Sequence, residues 1–314
     1  MNENVIKNLK KRNEEIKNGK SSNIVTGLVV QGGAMRGIYS MAVLMGLEEM
    51  GFSNAFDHIV GSSAGAINSA YFLAEQSTVA VSIYLDDLSD NRFIDFRRLK
   101  KIVDIDYMVD DVVKKTKLLN AVKVRKAFTK LHTALTDYQT GESFFITNKD
   151  ENVDIYEAIR ATAAMPILYN RKVQIKDRYY VDGGIADGTP LFKAIDLGCT
   201  DLIVVLTRKP NFRRKAPNLI MRILEEPFLK EFPIKLRKKI TSEDKYFNKT
   251  MEYIELHEKK NSQVRILTIF PSNLNKLVSR TTKSRIKLLS CALMGRNDVR
   301  RSFGELELND NPYN

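Results

Sequence analysis

The sequence predicts an α/β protein whose central sheet is mostly parallel and carries helices on both faces. Three observations lead there. A unit of apolar run, glycine turn and helical pattern occurs twice early in the chain, at residues 24–50 and again at 56–75. Further short apolar runs follow at 143–147, 178–181, 201–207 and 264–270, with helical patterns between them. Strands that alternate with helices are joined by crossovers, which lay helices over the faces of a parallel sheet. Finally, 314 residues suffice to bury such a sheet on both sides.

Each element has its own signal. Residues 24–31 form a short apolar run ending in Gly-Gly, a buried strand entering a tight turn. Over 38–50, Ile38, Met41, Ala42, Met45 and Leu47 recur near helical spacing, and Gly51 stands where a helix stops. Residues 56–60 repeat the strand, Gly61 to Gly65 the turn, and 64–75 the helix. Residues 154–164 read as a helix with Asp154 as N-cap and Pro166 just past its end. The charged stretch 91–138 reads as mostly helical, a lid or flank over the site. Composition changes near residue 208, where prolines punctuate a basic stretch. The expected organisation is a charged N-terminal arm over 1–23, a core domain over 24–207, and a basic extension over 208–314 that packs on or completes it.

Composition narrows the function. Fifty Lys and Arg against 38 Asp and Glu give a net charge of +12, concentrated over 208–239 and 276–301. That balance favours an anionic surface as a peripheral contact, with a solvated helical face as the plainer reading. The basic runs lack interleaved base-stacking aromatics, so nucleic acid is not expected as a partner. No window approaches the roughly 18–20 apolar residues of a spanning helix, and the N-terminus, alternating in charge, has no apolar signal-peptide core. Cys199 and Cys291 form neither a disulfide framework nor a metal cluster. A reducing, cytoplasmic setting is the expectation, with contact at the inner membrane face.

Two turns carry chemistry. Gly61-Ser62-Ser63-Ala64-Gly65 matches G-x-S-x-G with a strand before it and an alanine-rich helix after it. The pattern requires glycines because the serine sits on a strained turn squeezed between strand and helix, which lifts its hydroxyl above the sheet edge. The helix N-terminus there stabilises developing negative charge. Gly32-Gly33-Ala34-Met35-Arg36-Gly37 leaves backbone N–H groups unshielded, suited to a phosphate or a tetrahedral oxyanion. The P-loop pattern fails, since Ile38 and Tyr39 stand where Lys and Ser or Thr belong. Asp182, at the end of an apolar run and before Gly183 and Gly184, sits where a base belongs at the carboxyl edge of a parallel sheet.

Histidine is scarce: His58, His132 and His257 only. His58 falls inside a strand, while His132 and His257 fall in polar, helix-like stretches and are expected to face solvent. The order Ser63, Asp182, His257 matches an α/β-hydrolase triad, but that fold places several strands before its elbow, and here the elbow strand comes only one clear strand after the start of the domain. A mechanism without histidine is preferred, with the triad as the alternative.

Together these motifs resemble the patatin-like phospholipases, which combine a G-G-G-x-R/K-G turn, a G-x-S-x-G elbow and an Asp-Gly-Gly/Ala motif in this order. The small-residue stretch from Ile159 to Pro166, and Pro190 beyond the aspartate motif, fit the same pattern. The resemblance covers about residues 24–207 and implies a three-layer patatin-like fold. It further implies a serine lipid acyl hydrolase acting on carboxylic esters of lipids or lysolipids through a Ser63–Asp182 dyad. Residues 32–37 would then supply the oxyanion hole, and no metal or other cofactor is needed. One position departs: Ala34 replaces the third glycine, and if that position needs φ > 0, the strain is about 1 kcal/mol. The other reading is a catalytically weak or silent relative that binds lipid or a partner.

Overall fold

The computed structural model describes residues 3–20, 22–98, 101–216, 227–258 and 263–305. The part of the basic run that includes Arg222 lies outside them.

Eight strands form one sheet: β1 (Thr26–Val30), β2 (His58–Ser62), β3 (Lys130–Asp137), β4 (Ser143–Thr147), β5 (Val173–Ile175), β6 (Arg178–Asp182), β7 (Asp201–Val205) and β8 (Arg265–Ile269). Their order is β5-β6-β3-β2-β1-β7-β8, with β4 paired to β3. The run β3-β2-β1-β7-β8 is parallel; β4 and β6 meet β3 antiparallel, as do β5 and β6 each other. The parallel strands read as apolar runs because both faces are covered.

Side chains divide between two cores by strand parity. Leu28, Val30, Ile59, Ile203 and Val205 face one core, with α2 (Gly37–Glu49), α3 (Ala64–Leu73) and the C-terminal helix (Arg285–Ser302). Val29, Val60, Leu202 and Val204 face the other, with Phe247, Met251 and Ile254 of the helix Glu243–Glu258. This is the expected three-layer arrangement. Helix α2 is buried around nearly its whole circumference, between the sheet and the C-terminal helix, which explains why its pattern is weakly amphipathic.

The N-terminal helix α1 (Glu3–Lys17) docks on the sheet. Val5 and Leu9 enter the core, Arg12 pairs with Asp57 at 2.5 Å, and Asn8 Nδ2 donates to Asp201 Oδ1 at 2.9 Å. Asp154 caps its helix (Ile155–Ala163), its side chain accepting from the Tyr156 N–H at 2.8 Å.

One stretch departs from expectation. Residues 91–138 are not mostly helical: helical turns cover Tyr107–Thr116 and Ala121–Lys126, and Lys130–Asp137 near its end is β3. Polar residues hid that strand. His132, Thr133 and Thr136 are all buried in it, each at a position an amphipathic pattern reads as solvent-facing. Thr136 is satisfied by donating to the Asp182 carbonyl at 2.7 Å, and His132 by His58.

Candidate active site

Ser63 occupies the turn between β2 and α3 with φ 54° and ψ −132°, a conformation that costs an L-residue about 1–3 kcal/mol. The surroundings hold it there. Its N–H donates to Thr162 Oγ1 at 2.9 Å, and that hydroxyl donates to the Ala134 carbonyl at 2.7 Å. A Cβ on Gly65 would lie 2.2 Å from the Val30 carbonyl oxygen, so only glycine lets α3 start this close to β1. Gly61, at the end of β2, backs directly onto Ala66.

Sheet register brings Asp182 to the serine. On β3, Ala134 pairs with Ser62 of β2 and Leu135 pairs with Asp182 of β6. Adjacent residues of one strand thus set the two groups side by side. The Ser63 hydroxyl donates to Asp182 Oδ2 at 2.9 Å, and the Gly184 N–H donates to Oδ1 at 2.6 Å. The Asp182 N–H donates to the Ala164 carbonyl at 3.0 Å, tying the aspartate to the end of the Thr162 helix. Asp182 is 4% exposed. Burial pushes its carboxyl up to about 6, against the opposing pull of the Gly184 N–H and the Ser63 hydroxyl.

The first glycine turn lies against the serine turn. A Cβ on Gly32 would fall 2.5 Å from the Ser62 carbonyl oxygen. Gly33 has φ 155° and Ala34 φ 51°, so Ala34 does sit where glycine is the unstrained residue. The six residues differ in what they offer. Gly37 donates to the Ala34 and Met35 carbonyls, Arg36 N–H to the Gly33 carbonyl, and Met35 N–H to the Arg280 carbonyl at 3.2 Å. The N–H groups of Gly33 and Ala34 have no acceptor among the described residues. Met35 is fully buried, and buried Arg36 donates from Nε to the Val278 carbonyl at 3.1 Å. Residues 278–280 therefore strap the turn from outside. The sequence gives no periodic signal for this contact, nor for the Thr162 bond to Ser63.

The histidines lie elsewhere. His58 Nδ1 and His132 Nε2 are 3.1 Å apart within the sheet, so His132 is a buried strand residue and not the solvent-facing helical one expected. Burial lowers its pKa to about 4. His257 stacks on Tyr253 with ring centroids 3.8 Å apart. No histidine lines either cavity at Ser63. Among the described residues no group of three or more His, Cys, Asp or Glu is placed to hold a metal ion, and no helix is long and apolar enough to cross a membrane.

Two cavities meet at Ser63, sharing Ala34 and Met165 as further walls. One is a narrow slot of about 40 Å³ walled by Ile67, Tyr71, Ile83, Leu88, Phe93 and Met108. The other is an open basin of about 620 Å³ that also touches Asp182, Arg36, Arg208 and Arg280.

Fold and site define a three-layer α/β protein with a serine elbow beside a buried aspartate, an arrangement suited to ester hydrolysis. The chain matches the patatin-like phospholipase family over residues 28–195, more than half its length, and belongs to that family. Membership supports a lipid acyl hydrolase in general terms. An uncharacterised protein from Escherichia coli K12, YjjU, is 30% identical over 188 residues, covering 57% of this chain and 51% of that protein. The chain thus spans about half the length of that relative. The crystal structure of VipD from Legionella pneumophila shares the fold, with a TM-score of 0.52 and 14% identity over 90% of this chain and 67% of that one.

Proposed function

We propose that the protein hydrolyses carboxylic esters of lipids with Ser63 as nucleophile and Asp182 as base. The carrying observation is the 2.9 Å hydrogen bond from the serine hydroxyl to a buried carboxylate, on a turn held in nucleophile geometry. Asp182 accepts the hydroxyl proton as Oγ attacks the ester carbonyl carbon. The resulting oxyanion receives the N–H groups of Gly33 and Ala34, and that of Ala64 at the first turn of α3. Collapse expels the alcohol, which regains the proton from Asp182. Water, deprotonated by the same carboxylate, then cleaves the acyl-enzyme and frees the fatty acid. The slot is the natural place for the acyl chain. Peripheral contact with an anionic membrane through the C-terminal region belongs to the same reading: exposed Leu274, Ile286 and Leu289 lie among Lys276, Arg285 and Lys287.

Labelling with a fluorophosphonate, paired with turnover of an acyl ester, tests this. Wild type should label and turn over, Ser63→Ala should do neither, and His257→Ala should match wild type. Ester turnover that survives Ser63→Ala would overturn the assignment. Ala34 favours a second reading, a lipid-binding relative with a weakened oxyanion site, and stoichiometric labelling without turnover would support it.

A further inference from the structure

The slot beside Ser63 runs along α3. Ala64, Ile67, Asn68 and Tyr71 line it, at the spacing that puts four side chains on one face of a helix. Asn68 is the polar member, and its amide is already used. Its Nδ2 donates to the Gly37 carbonyl at 2.8 Å, and its Oδ1 accepts from the Tyr84 hydroxyl at 3.0 Å. Bulk is graded along the slot. Its walls at the serine end include Ala34 and Ala64, whose methyl groups leave room for a chain to enter. Two turns on stands Tyr71, fully buried and among the largest buried side chains of the protein.

Hydrogen bonds fix Tyr71 in place. Its hydroxyl donates to the Lys117 carbonyl at 2.6 Å. The acceptor segment is itself held against the end of α3 and the helix after it. Gln76 Nε2 donates to the Leu118 carbonyl at 3.0 Å, Gln76 Oε1 accepts from the Asn120 N–H at 2.9 Å, and Lys117 Nζ donates to Ser82 Oγ at 2.9 Å. The ring is anchored at its backbone and at its hydroxyl, so swinging it aside leaves buried polar groups without partners.

Two lengths agree. From Ser63 to Tyr71 the helix rises about 12 Å, at about 1.5 Å per residue. The slot volume of about 40 Å³ corresponds to about three or four water molecules in single file, a length of about 8–11 Å. An extended hydrocarbon advances about 1.3 Å per carbon, given zigzag bonds of about 1.5 Å, so these lengths hold about six to nine carbons. We infer that the slot takes acyl groups of short to medium length, up to about eight carbons, and that Tyr71 sets this limit. The inference rests on the proposed hydrolysis for placing the acyl group in the slot, and it is tested by binding, so that the two fail separately.

The probes are neutral acyl analogues without an ester, the N-methyl amides of butanoic, hexanoic, octanoic, decanoic and dodecanoic acid, titrated calorimetrically against the full chain. Affinity should rise about fourfold per added methylene, the worth of one buried CH2, as far as the octanamide and then level off. Tyr71→Leu should carry the rise on to the decanamide and dodecanamide. Ile67→Phe, which adds bulk one turn from Ser63, should end it at the hexanamide or before. The two substitutions act in opposite directions at different depths, so loss of folding in one leaves the other to decide. A rise that continues to the dodecanamide in wild type, an affinity independent of chain length, or a levelling-off point that neither substitution moves overturns the limit. Wild type that binds the series as expected but turns over no ester overturns the proposed hydrolysis and leaves the length limit standing.

Discussion

The N–H of Ser63 donates to the hydroxyl of Thr162 at 2.9 Å. The same hydroxyl donates to Ala134, so one side chain holds the serine turn, and its helix, to β3. Thr162→Val keeps the shape and removes both bonds, leaving a buried N–H and a buried carbonyl without partners. Stability should fall by about 1–3 kcal/mol, and kcat should fall while KM changes little, because only the turn is disturbed. Urea unfolding and steady-state kinetics read the two effects. Unchanged stability would show that the bond is dispensable.

A pH profile reports on Asp182. Its carboxyl is raised to about 6 by burial, and only the ionised form can take the serine proton. In kcat/KM, activity should rise with pH, pass half-maximum near 6, and level off above. The stability linkage has the opposite sense. The folded state holds this proton more tightly than the unfolded chain, so the associated stability is present at acid pH and lost as pH rises through about 6. Asp182→Asn should therefore abolish turnover yet stabilise the fold above pH 6 by roughly 1–3 kcal/mol. A profile flat from pH 4 to 8 would count against Asp182 as the base.

At position 34 two effects oppose each other. Ala34→Gly relieves the strain of φ 51°, about 1 kcal/mol, but adds conformational freedom of comparable worth to the unfolded chain. Stability should stay within about 0.5 kcal/mol, while turnover should hold or rise. Ala34→Val, β-branched at the same φ, should lower both. A glycine variant that loses activity tenfold would mean that the alanine methyl shapes the slot.

The His58–His132 pair predicts acid sensitivity away from the site. Both pKa values are lowered, with burial the leading cause, so the folded state binds fewer protons than the unfolded chain. The stability involved is intact above pH 6.5 and lost as pH falls towards about 4. His132→Gln should flatten this part of the stability profile without altering ester turnover at pH 7.5. A large loss of turnover would link the pair to the site in a way its position does not suggest.

Much of the site was legible from local pattern. The elbow at Gly61 to Gly65, the turn at Gly32 to Gly37 and the aspartate before Gly183 are local motifs, each bounded by apolar runs that became β2, β1 and β6. What was hidden is long-range or polar. β3, which sets the spacing of Ser63 and Asp182, carries buried His132, Thr133 and Thr136, and the partners of His132 and Thr136 come from β2 and β6. Thr162 and the strap at Val278 and Arg280 act through one or two hydrogen bonds across the sequence, which no periodicity records.

Strand β8 has a practical consequence for anyone dividing this chain. It covers the outer edge of β7, whose five residues are all buried. A fragment cut after Thr207 would expose the N–H and C=O groups of that hydrophobic strand along one side, a template for joining strands from neighbouring molecules. Such fragments should precipitate on expression, however sound the remaining fold, and recombinant work needs the C-terminal third retained.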